Sequence, residues 1–280
     1  MTATVHELLV KARGRLRAAP FHPPPREAGL LLGHALGLDE AQVLARDRED
    51  VPAGAARRFH ELLERRLRGE PVAYLVGERE FWGRPFRVDS RVLIPRPETE
   101  HLVEIALELR LGRGARIVDL GTGSGCLAVT LALEIPQARV AAVDISPGAL
   151  GVAAGNARRL GARVAFSAGD LARALRLDDV DLLISNPPYI DPDDAQAVSP
   201  EVRDFEPPLA LYAERGDGAL RAIGAAAQAL PPRARVLLEI GEGQLTRLEG
   251  IAAQTGLEIL EARADLAGIP RAVLLRRRRG

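Results

Sequence analysis

Ala115-Arg116-Ile117-Val118-Asp119-Leu120-Gly121-Thr122-Gly123-Ser124-Gly125 passes from a short apolar, β-branched run into three alternating glycines. The next eight residues, Cys126-Leu127-Ala128-Val129-Thr130-Leu131-Ala132-Leu133, read as a helix. Strand, glycine loop and helix, in that order, make the first unit of a dinucleotide-type α/β fold. Glycine permits the tight turn there and lets a ligand approach the backbone closely. A glycine loop by itself says little, so the continuation matters. Residues 138–144 read as a second strand that ends in Asp144, nineteen positions beyond Gly125. An acid at that place can accept hydrogen bonds from both hydroxyls of an adenosine ribose.

The alternation continues outward from this unit. Ser146 caps a helix over 147–160, residues 162–166 form a third strand, and residues 180–184 form a fourth. Residues 236–240 read as a fifth strand, with 257–262 and 272–275 as a closing antiparallel pair. In an open sheet of order 3-2-1-4-5 the first and fourth strands are neighbours, and ligands bind outside their carboxyl ends. Gly121, Thr122, Gly123, Ser124 and Gly125 therefore belong beside the turn that leaves the fourth strand. Asp170, after the third strand, is placed to meet an adenine amine, with Leu171 covering the ring; the alternative is that Asp170 caps a helix.

The fourth strand runs directly into Ser185-Asn186-Pro187-Pro188-Tyr189-Ile190. A planar amide or aromatic amine is a poor nucleophile because its nitrogen lone pair is delocalised. The Asn186 side-chain oxygen and the Pro187 carbonyl can accept both hydrogens of such an NH2 group, and Tyr189 can stack on its plane. The two prolines fix φ and hold Asn186 and Pro187 away from the helical region, so the turn is stiff before substrate arrives. The glycine loop could serve a dinucleotide, a nucleoside triphosphate or S-adenosylmethionine. No Gly-Lys-Ser/Thr comes after it, and Gly-x-Gly-x-Gly differs from the usual dinucleotide spacing. Taken with the Asn-Pro-Pro-Tyr turn, the pattern points to S-adenosylmethionine, with S-adenosylhomocysteine as product. The methionine carboxylate would face the helix N-terminus.

Composition limits the partners. The chain has 280 residues, 47% hydrophobic and 27% charged, with 38 basic and 38 acidic side chains. That balance argues against a protein whose main affinity is for nucleic-acid phosphate. Lys11 is the one lysine; the arginine bias reads as codon composition. The single cysteine, Cys126, excludes an internal disulfide and reads as a small packing residue at a helix start. The five histidines lack metal-ligand spacing, so no metal is expected. No stretch approaches the length of a membrane span, and the N-terminus lacks a secretory apolar core. Arginines at 13, 15 and 17 could mimic a mitochondrial leader, but Val5, Leu8, Leu9 and Leu16 share one face of an amphipathic helix. A cytoplasmic monomer without membrane contact is expected.

Residues 1–70 read as a small bundle of four helices, over 4–18, 26–36, 39–46 and 55–68, with no chemistry visible in it; it can be structural support, though a bundle appended to a methyltransferase commonly helps choose the substrate. Residues 71–95 read as a β-hairpin linker, with strands at 72–77 and 81–88. Residues 96–280 then form the Rossmann-like domain. Its first helix opens at Pro95-Arg96-Pro97-Glu98-Thr99-Glu100, where Glu98 and Glu100 complement the dipole and Arg96 is a candidate to line the site. The acidic stretch 191–218 reads as an ordered, substrate-shaping insertion. Arg276 to Arg279 read as a solvated tail.

The chain resembles the HemK/PrmC family of protein-glutamine methyltransferases, a class I S-adenosylmethionine-dependent fold. The resemblance is carried by Pro71 with Tyr74 and Gly77, by Phe81-Trp82-Gly83, and by Leu93-Ile94-Pro95-Arg96-Pro97-Glu98-Thr99-Glu100. Asp119 through Gly125, Asp144, Asn186-Pro187-Pro188-Tyr189, Glu206-Pro207 with Leu209-Ala210-Leu211, and Glu239-Ile240-Gly241 extend it. It implies catalytic Asn186, Pro187 and Tyr189, with Pro188 completing the substrate site. The donor site it implies comprises residues 121–125, Asp144, Asp170, Leu171 and Asn186. Some members place a tryptophan where Leu171 stands. The implied substrate is the glutamine of the Gly-Gly-Gln motif in class 1 peptide chain release factors. Three alternatives share features of this pattern: a ribosomal-protein glutamine methyltransferase, an adenine-specific nucleic-acid methyltransferase, and a binding module with a vestigial pocket. An intact loop and tetrad argue against the last. The neutral charge argues against the second, since base flipping requires a basic groove.

Overall fold

A computed structural model describes residues 3–21, 23–171 and 176–278. The chain packs as two units, one of Met1–Glu78 with Val198–Phe205, the other of Arg79–Ala197 with Glu206–Gly280.

The first unit is helical. Helix α1 (Val5–Arg17) starts on a capping box, in which Thr4 Oγ1 accepts from the Glu7 backbone N–H and the Glu7 carboxylate accepts from that of Thr4. Helix α2 (Glu27–Leu36) ends at Gly37, whose φ of 70° suits the left-handed cap. A second capping box, Asp39 with Gln42, opens α3 (Glu40–Ala45), and α4 (Ala53–Leu67) comes next. Val5, Leu8, Leu9 and Leu16 are buried together with Leu31, Leu32, Phe59 and Leu63. The expected strand at 72–77 is instead a helical turn, α5 (Val72–Val76). A five-residue apolar run has no periodicity that separates strand from helix. Here Pro71 precedes its first turn and Gly77, at φ 81°, stops it, with Ala73 and Leu75 buried.

Arg66 is 1% exposed in this unit. Its Nε donates to Glu27 at 2.6 Å, Nη2 to Glu201 at 3.0 Å and Nη1 to the Glu70 carbonyl at 3.1 Å. Its guanidinium also lies 4.5 Å from the centre of the Phe21 ring. Burial pushes the Glu27 carboxyl up, and the Arg66 hydrogen bond opposes that shift.

The hairpin is displaced along the chain from the expected position. It consists of β1 (Glu78–Phe81) and β2 (Arg84–Arg87), joined by Trp82 and Gly83 at φ 52° and 65°. Positive φ at both central residues matches the twist of a two-residue hairpin turn. The Trp82 backbone N–H donates to Glu100 at 2.8 Å, so that carboxylate holds the turn besides complementing a helix dipole.

A 3-10 turn at Pro97–Thr99 leads into α6 (Glu100–Glu108). Then come β3 (Arg116–Leu120), α7 (Cys126–Glu134), β4 (Arg139–Asp144), α8 (Pro147–Leu160), β5 (Val164–Ala168) and β6 (Leu182–Ser185). Short helices α9 (Pro200–Phe205) and α10 (Pro208–Leu211) interrupt the insertion after β6. Helix α11 (Gly218–Ala226), β7 (Arg235–Glu239), α12 (Leu245–Gln254), β8 (Leu257–Ala264) and β9 (Pro270–Arg277) complete the chain. The seven-stranded sheet has the order β5-β4-β3-β6-β7-β9-β8, parallel from β5 to β7 and antiparallel beyond.

Alternation along the strands supplies two cores. Ile117, Leu182, Ile184 and Leu237 face the one that holds Phe81, Phe86, Leu102 and Leu127. Val118, Leu120, Leu183 and Val236 face the other, with Leu220, Ile223 and Leu248. Burial on both faces is required of parallel strands under helices. At the C-terminus Arg276 and Arg277 lie within β9, donating to Glu258 at 2.5 Å and to the Leu230 carbonyl at 2.8 Å. They are not a solvated tail, because a strand edge and a carbonyl claim their guanidiniums. Arg279, like His22, lies outside the described residues.

Replacing Arg66 by alanine would strand the buried Glu27 carboxylate. Urea denaturation should show a loss of about 3–5 kcal/mol, the cost of unpairing a buried ion. An unchanged midpoint would mean that Glu27 is satisfied without the guanidinium.

Candidate active site

Register brings the two candidate segments to one edge. Leu120 pairs with Ser185 as the last rung between β3 and β6, and the Ser185 hydroxyl donates to the Leu120 carbonyl at 2.7 Å. Gly121 and Asn186 are therefore the next residues along two adjacent parallel strands. The glycine loop and the Asn-Pro-Pro-Tyr turn leave the sheet side by side.

The loop is shaped by its own backbone. Gly121, Gly123 and Gly125 have φ of 70°, 55° and 81°, values that a side chain rarely adopts. A Cβ built on Gly121 or Gly123 would meet nothing within 4 Å, so both present an open face. A Cβ on Gly125 would lie 3.0 Å from the Ala153 Cβ, so this glycine lets α7 and α8 pack closely. The Gly121 and Thr122 N–H groups donate to the Val143 carbonyl, and Gly123 N–H donates to Asp144 at 2.8 Å. The other Asp144 oxygen accepts from the Ser146 N–H at 2.9 Å. Each carboxylate oxygen keeps a lone pair for a further donor.

Two buried polar side chains brace the loop from beneath. Thr122 Oγ1 donates to Asp119 at 2.6 Å, and burial pushes the Asp119 carboxyl up to about 7. Asn156, wholly buried on α8, donates to the Ser124 carbonyl at 2.9 Å and to the Arg87 carbonyl at 3.0 Å, and accepts from the Arg87 N–H. One amide thus ties the loop to β2. Cys126 is buried, and desolvation pushes its thiol up to about 12, so it packs as a neutral group.

The Asn-Pro-Pro-Tyr turn is held from three sides. Asn186 Nδ2 donates to Thr99 Oγ1 at 3.1 Å, and Thr99 Oγ1 donates in turn to Glu239 at 2.6 Å. Gln244 Nε2 donates to the Tyr189 and Gly216 carbonyls, while its oxygen accepts from the Gly241 N–H. A Cβ on Gly241 would come within 2.9 Å of the Tyr189 ring, so that ring lies against bare backbone. Ile190 exchanges backbone hydrogen bonds with Leu211 and Ala213. Burial pushes the Tyr189 hydroxyl up to about 12, which keeps the ring neutral.

Asp170 and Leu171 come after β5, both half-buried, and Leu171 packs against the core that contains Val143 and Val180. Arg96 pairs with the buried Glu206 at 2.5 Å, whose second oxygen accepts from the Ile94 N–H. Its first engagement is thus to fasten the Ile-Pro-Arg-Pro segment to the insertion after β6. Motif reading included Thr99 and Glu239 without giving them a place at the site, and it missed Asn156 and Gln244. Glu239 carried a usable signal: like Asp144, it is an acid at the carboxyl end of a parallel strand.

Comparison with known proteins places this arrangement. A family model described as the PrmC N-terminal domain matches residues 7–77, and one described as a methyltransferase small domain matches 99–202. A release factor glutamine methyltransferase of Nitratidesulfovibrio vulgaris is 44% identical over 98% of this chain and 96% of its own length. One from Bordetella pertussis is 47% identical over 89% of this chain and 93% of its own. The chain belongs to the release factor glutamine methyltransferase family. Among solved structures, the hMettl16 catalytic domain aligns with a TM-score of 0.58 at 18% identity, covering 72% of this chain and 80% of its own. A Pyrococcus furiosus methyltransferase aligns at 0.53 and 15% identity, covering 70% and 90%. These two show the methyltransferase fold. Among the described residues, no helix is long and apolar enough to cross a membrane, and no three His, Cys, Asp or Glu side chains cluster as metal ligands do.

Gly125→Ala should destabilise the family's fold here by about 1–3 kcal/mol, through its positive φ together with overpacking against α8. Chemical denaturation measures it; an unchanged midpoint would show that neither the left-handed backbone nor the contact with α8 constrains this position.

Proposed function

We propose that this chain transfers a methyl group from S-adenosylmethionine to the side-chain amide nitrogen of the glutamine in the Gly-Gly-Gln motif of class 1 release factors. Family membership across nearly the whole chain supports the reaction class. The observation that carries the reading at this site is the Leu120–Ser185 rung, which sets the glycine loop and the Asn-Pro-Pro-Tyr turn beside each other.

The residues fit the donor. The open faces of Gly121 and Gly123 and the free lone pairs of Asp144 offer a backbone cradle and a diol acceptor. Thr122, Ser124 and Gly125 complete the loop at the N-terminus of α7, whose dipole favours a carboxylate. Asp170 and Leu171 would meet the adenine. When bound, S-adenosylmethionine supplies an electrophilic methyl carbon on a sulfonium.

The acceptor residues do the positioning. Asn186 Nδ2 is occupied by Thr99, which leaves Oδ1 to accept one amide hydrogen of the substrate glutamine. The Pro187 carbonyl would accept the other, and Pro188 keeps the turn stiff. Tyr189, neutral and backed by Gly241, would stack on the amide plane, a contact of about 1 kcal/mol. Aiming the nitrogen at the methyl carbon is the larger effect, since positioning can lower a barrier by several kcal/mol. We assign recognition of the release factor to residues 1–70 and to the 191–218 insertion.

The test incubates the purified protein with labelled donor and one of four acceptors: release factor, its Gly-Gly-Ala variant, ribosomal protein, or DNA. Label should appear on the intact release factor alone. Label on DNA, or equally on the Gly-Gly-Ala variant, would reject the reading. Asn186→Ala should lower turnover by at least about a hundredfold. Donor affinity, by calorimetry, should stay within about threefold of the parent.

A further inference from the structure

Two polar side chains at this site have no part in the transfer itself, and both sit in segments that also carry the family resemblance. Thr99 and Glu239 are buried, 2% exposed each, and joined to Asn186 in one chain of hydrogen bonds. Thr99 comes from the 3-10 turn before α6 and Glu239 from the end of β7, so two distant segments converge on the acceptor turn. A lone threonine could satisfy Asn186 without a carboxylate behind it.

We propose that Glu239 and Thr99 are positioning residues that decide which end of the Asn186 amide faces the substrate. The proposal rests on the assignment of Asn186 as acceptor for the substrate amide. A hydroxyl has one hydrogen to give. While Glu239 is ionised it can only accept, so the Thr99 hydrogen must point to it. Thr99 Oγ1 then has only lone pairs left, and the group of Asn186 that meets it must be the NH2. The Asn186 oxygen is thereby turned to the substrate side. A protonated Glu239 can donate to Thr99, which frees the Thr99 hydrogen to meet the Asn186 oxygen. The asparagine is then free to present its NH2 to the substrate NH2, where two donors repel.

The direction of the chain therefore depends on one proton. Burial, the largest influence, pushes the Glu239 carboxyl up to about 7, with the Thr99 hydrogen bond opposing it. Glu98 on the same 3-10 turn disfavours ionisation, while Arg271 on β9 and Arg96 favour it. Tyr189 on the acceptor turn and Cys126 on α7 sense the same carboxylate and stay protonated. Because the carboxyl is raised, the proton is held below about pH 7 and lost above it. The productive direction belongs to the alkaline side.

The chain contains two asparagines, Asn156 and Asn186. Protein labelled with 15N-asparagine should thus show two side-chain NH2 pairs, the Asn186 pair being the one absent from Asn186→Ala. That pair is expected to shift with a midpoint near pH 7 in the parent and to stay fixed in Glu239→Gln. The Asn156 pair reports that the variant is folded. In turnover, Glu239→Gln should flatten the fall in kcat below pH 7 and lower kcat at pH 8 by about tenfold, with KM little changed. Thr99→Val should lose more, and Thr99→Ser should restore most of it. An Asn186 pair that ignores pH in the parent, or moves alike in Glu239→Gln, overturns the relay whatever the activity. So does a Thr99→Ser protein as impaired as Thr99→Val. Intact resonances with no methylation of release factor would instead sink the assigned substrate and leave the relay standing.

Discussion

Leu120 stands opposite Ser185 as the last pair of two parallel strands, and a hydroxyl-to-carbonyl bond clamps that rung. Both strands are four to five residues long and buried along nearly their whole length, so neither can slide without turning its apolar side chains to the wrong core. A slip of one residue would move Asn186 away from the glycine loop and flip it to the opposite face. The site therefore inherits its precision from the sheet. Loops this rich in glycine and proline leave the sheet side by side because both start from rungs fixed by burial.

The parts of this arrangement that depend on local pattern were readable from sequence. Strand, loop and helix around Gly121 to Gly125 announce themselves because alternation and glycine spacing are local properties. The same holds for the helix that starts at Pro147 behind its Ser146 cap, where sequence and structure agree to the residue. The strand order comes from few allowed topologies, since parallel connections are right-handed and short. The third strand was harder to bound: it begins at Val164, not 162, because Gly161 and Ala162 close the preceding helix.

Local reading failed where a short apolar run or a distant partner decided the outcome. Val72 to Val76 is β-branched enough to suggest a strand, yet Pro71 and Gly77 leave room for one helical turn, and burial of Ala73 and Leu75 settles it. Arg276 and Arg277 looked like a tail because nothing in a run of arginines shows that Glu258 and the Leu230 carbonyl await them. Asn156 is the clearest case. A polar residue on a buried helical face can be satisfied only by tertiary partners, here carbonyls 32 and 69 residues away. No motif announces such a contact, though an unexplained asparagine on an apolar stripe is itself a signal.

Two strands end on acids and a third carries one just before its end, and the donors to these acids differ in kind. Asp144, at the end of β4, is held by backbone N–H groups of Gly123 and Ser146. An N–H can only donate, so that contact has one direction whatever else is bound nearby. Asp119, one residue before the end of β3, and Glu239, at the end of β7, are instead met by the hydroxyls of Thr122 and Thr99. Hydroxyls can give or receive, so those contacts take their direction from the carboxyl's proton, and burial moves both carboxyls up to about 7. Acids near the carboxyl ends of the strands thus make one rigid anchor and two reversible ones. The rigid one lies against the glycine loop. One reversible contact lies behind an asparagine whose two ends differ by a single exchange of oxygen for nitrogen. A carboxylate that could not change its proton would fix that asparagine permanently; one buried this deeply fixes it only above neutrality.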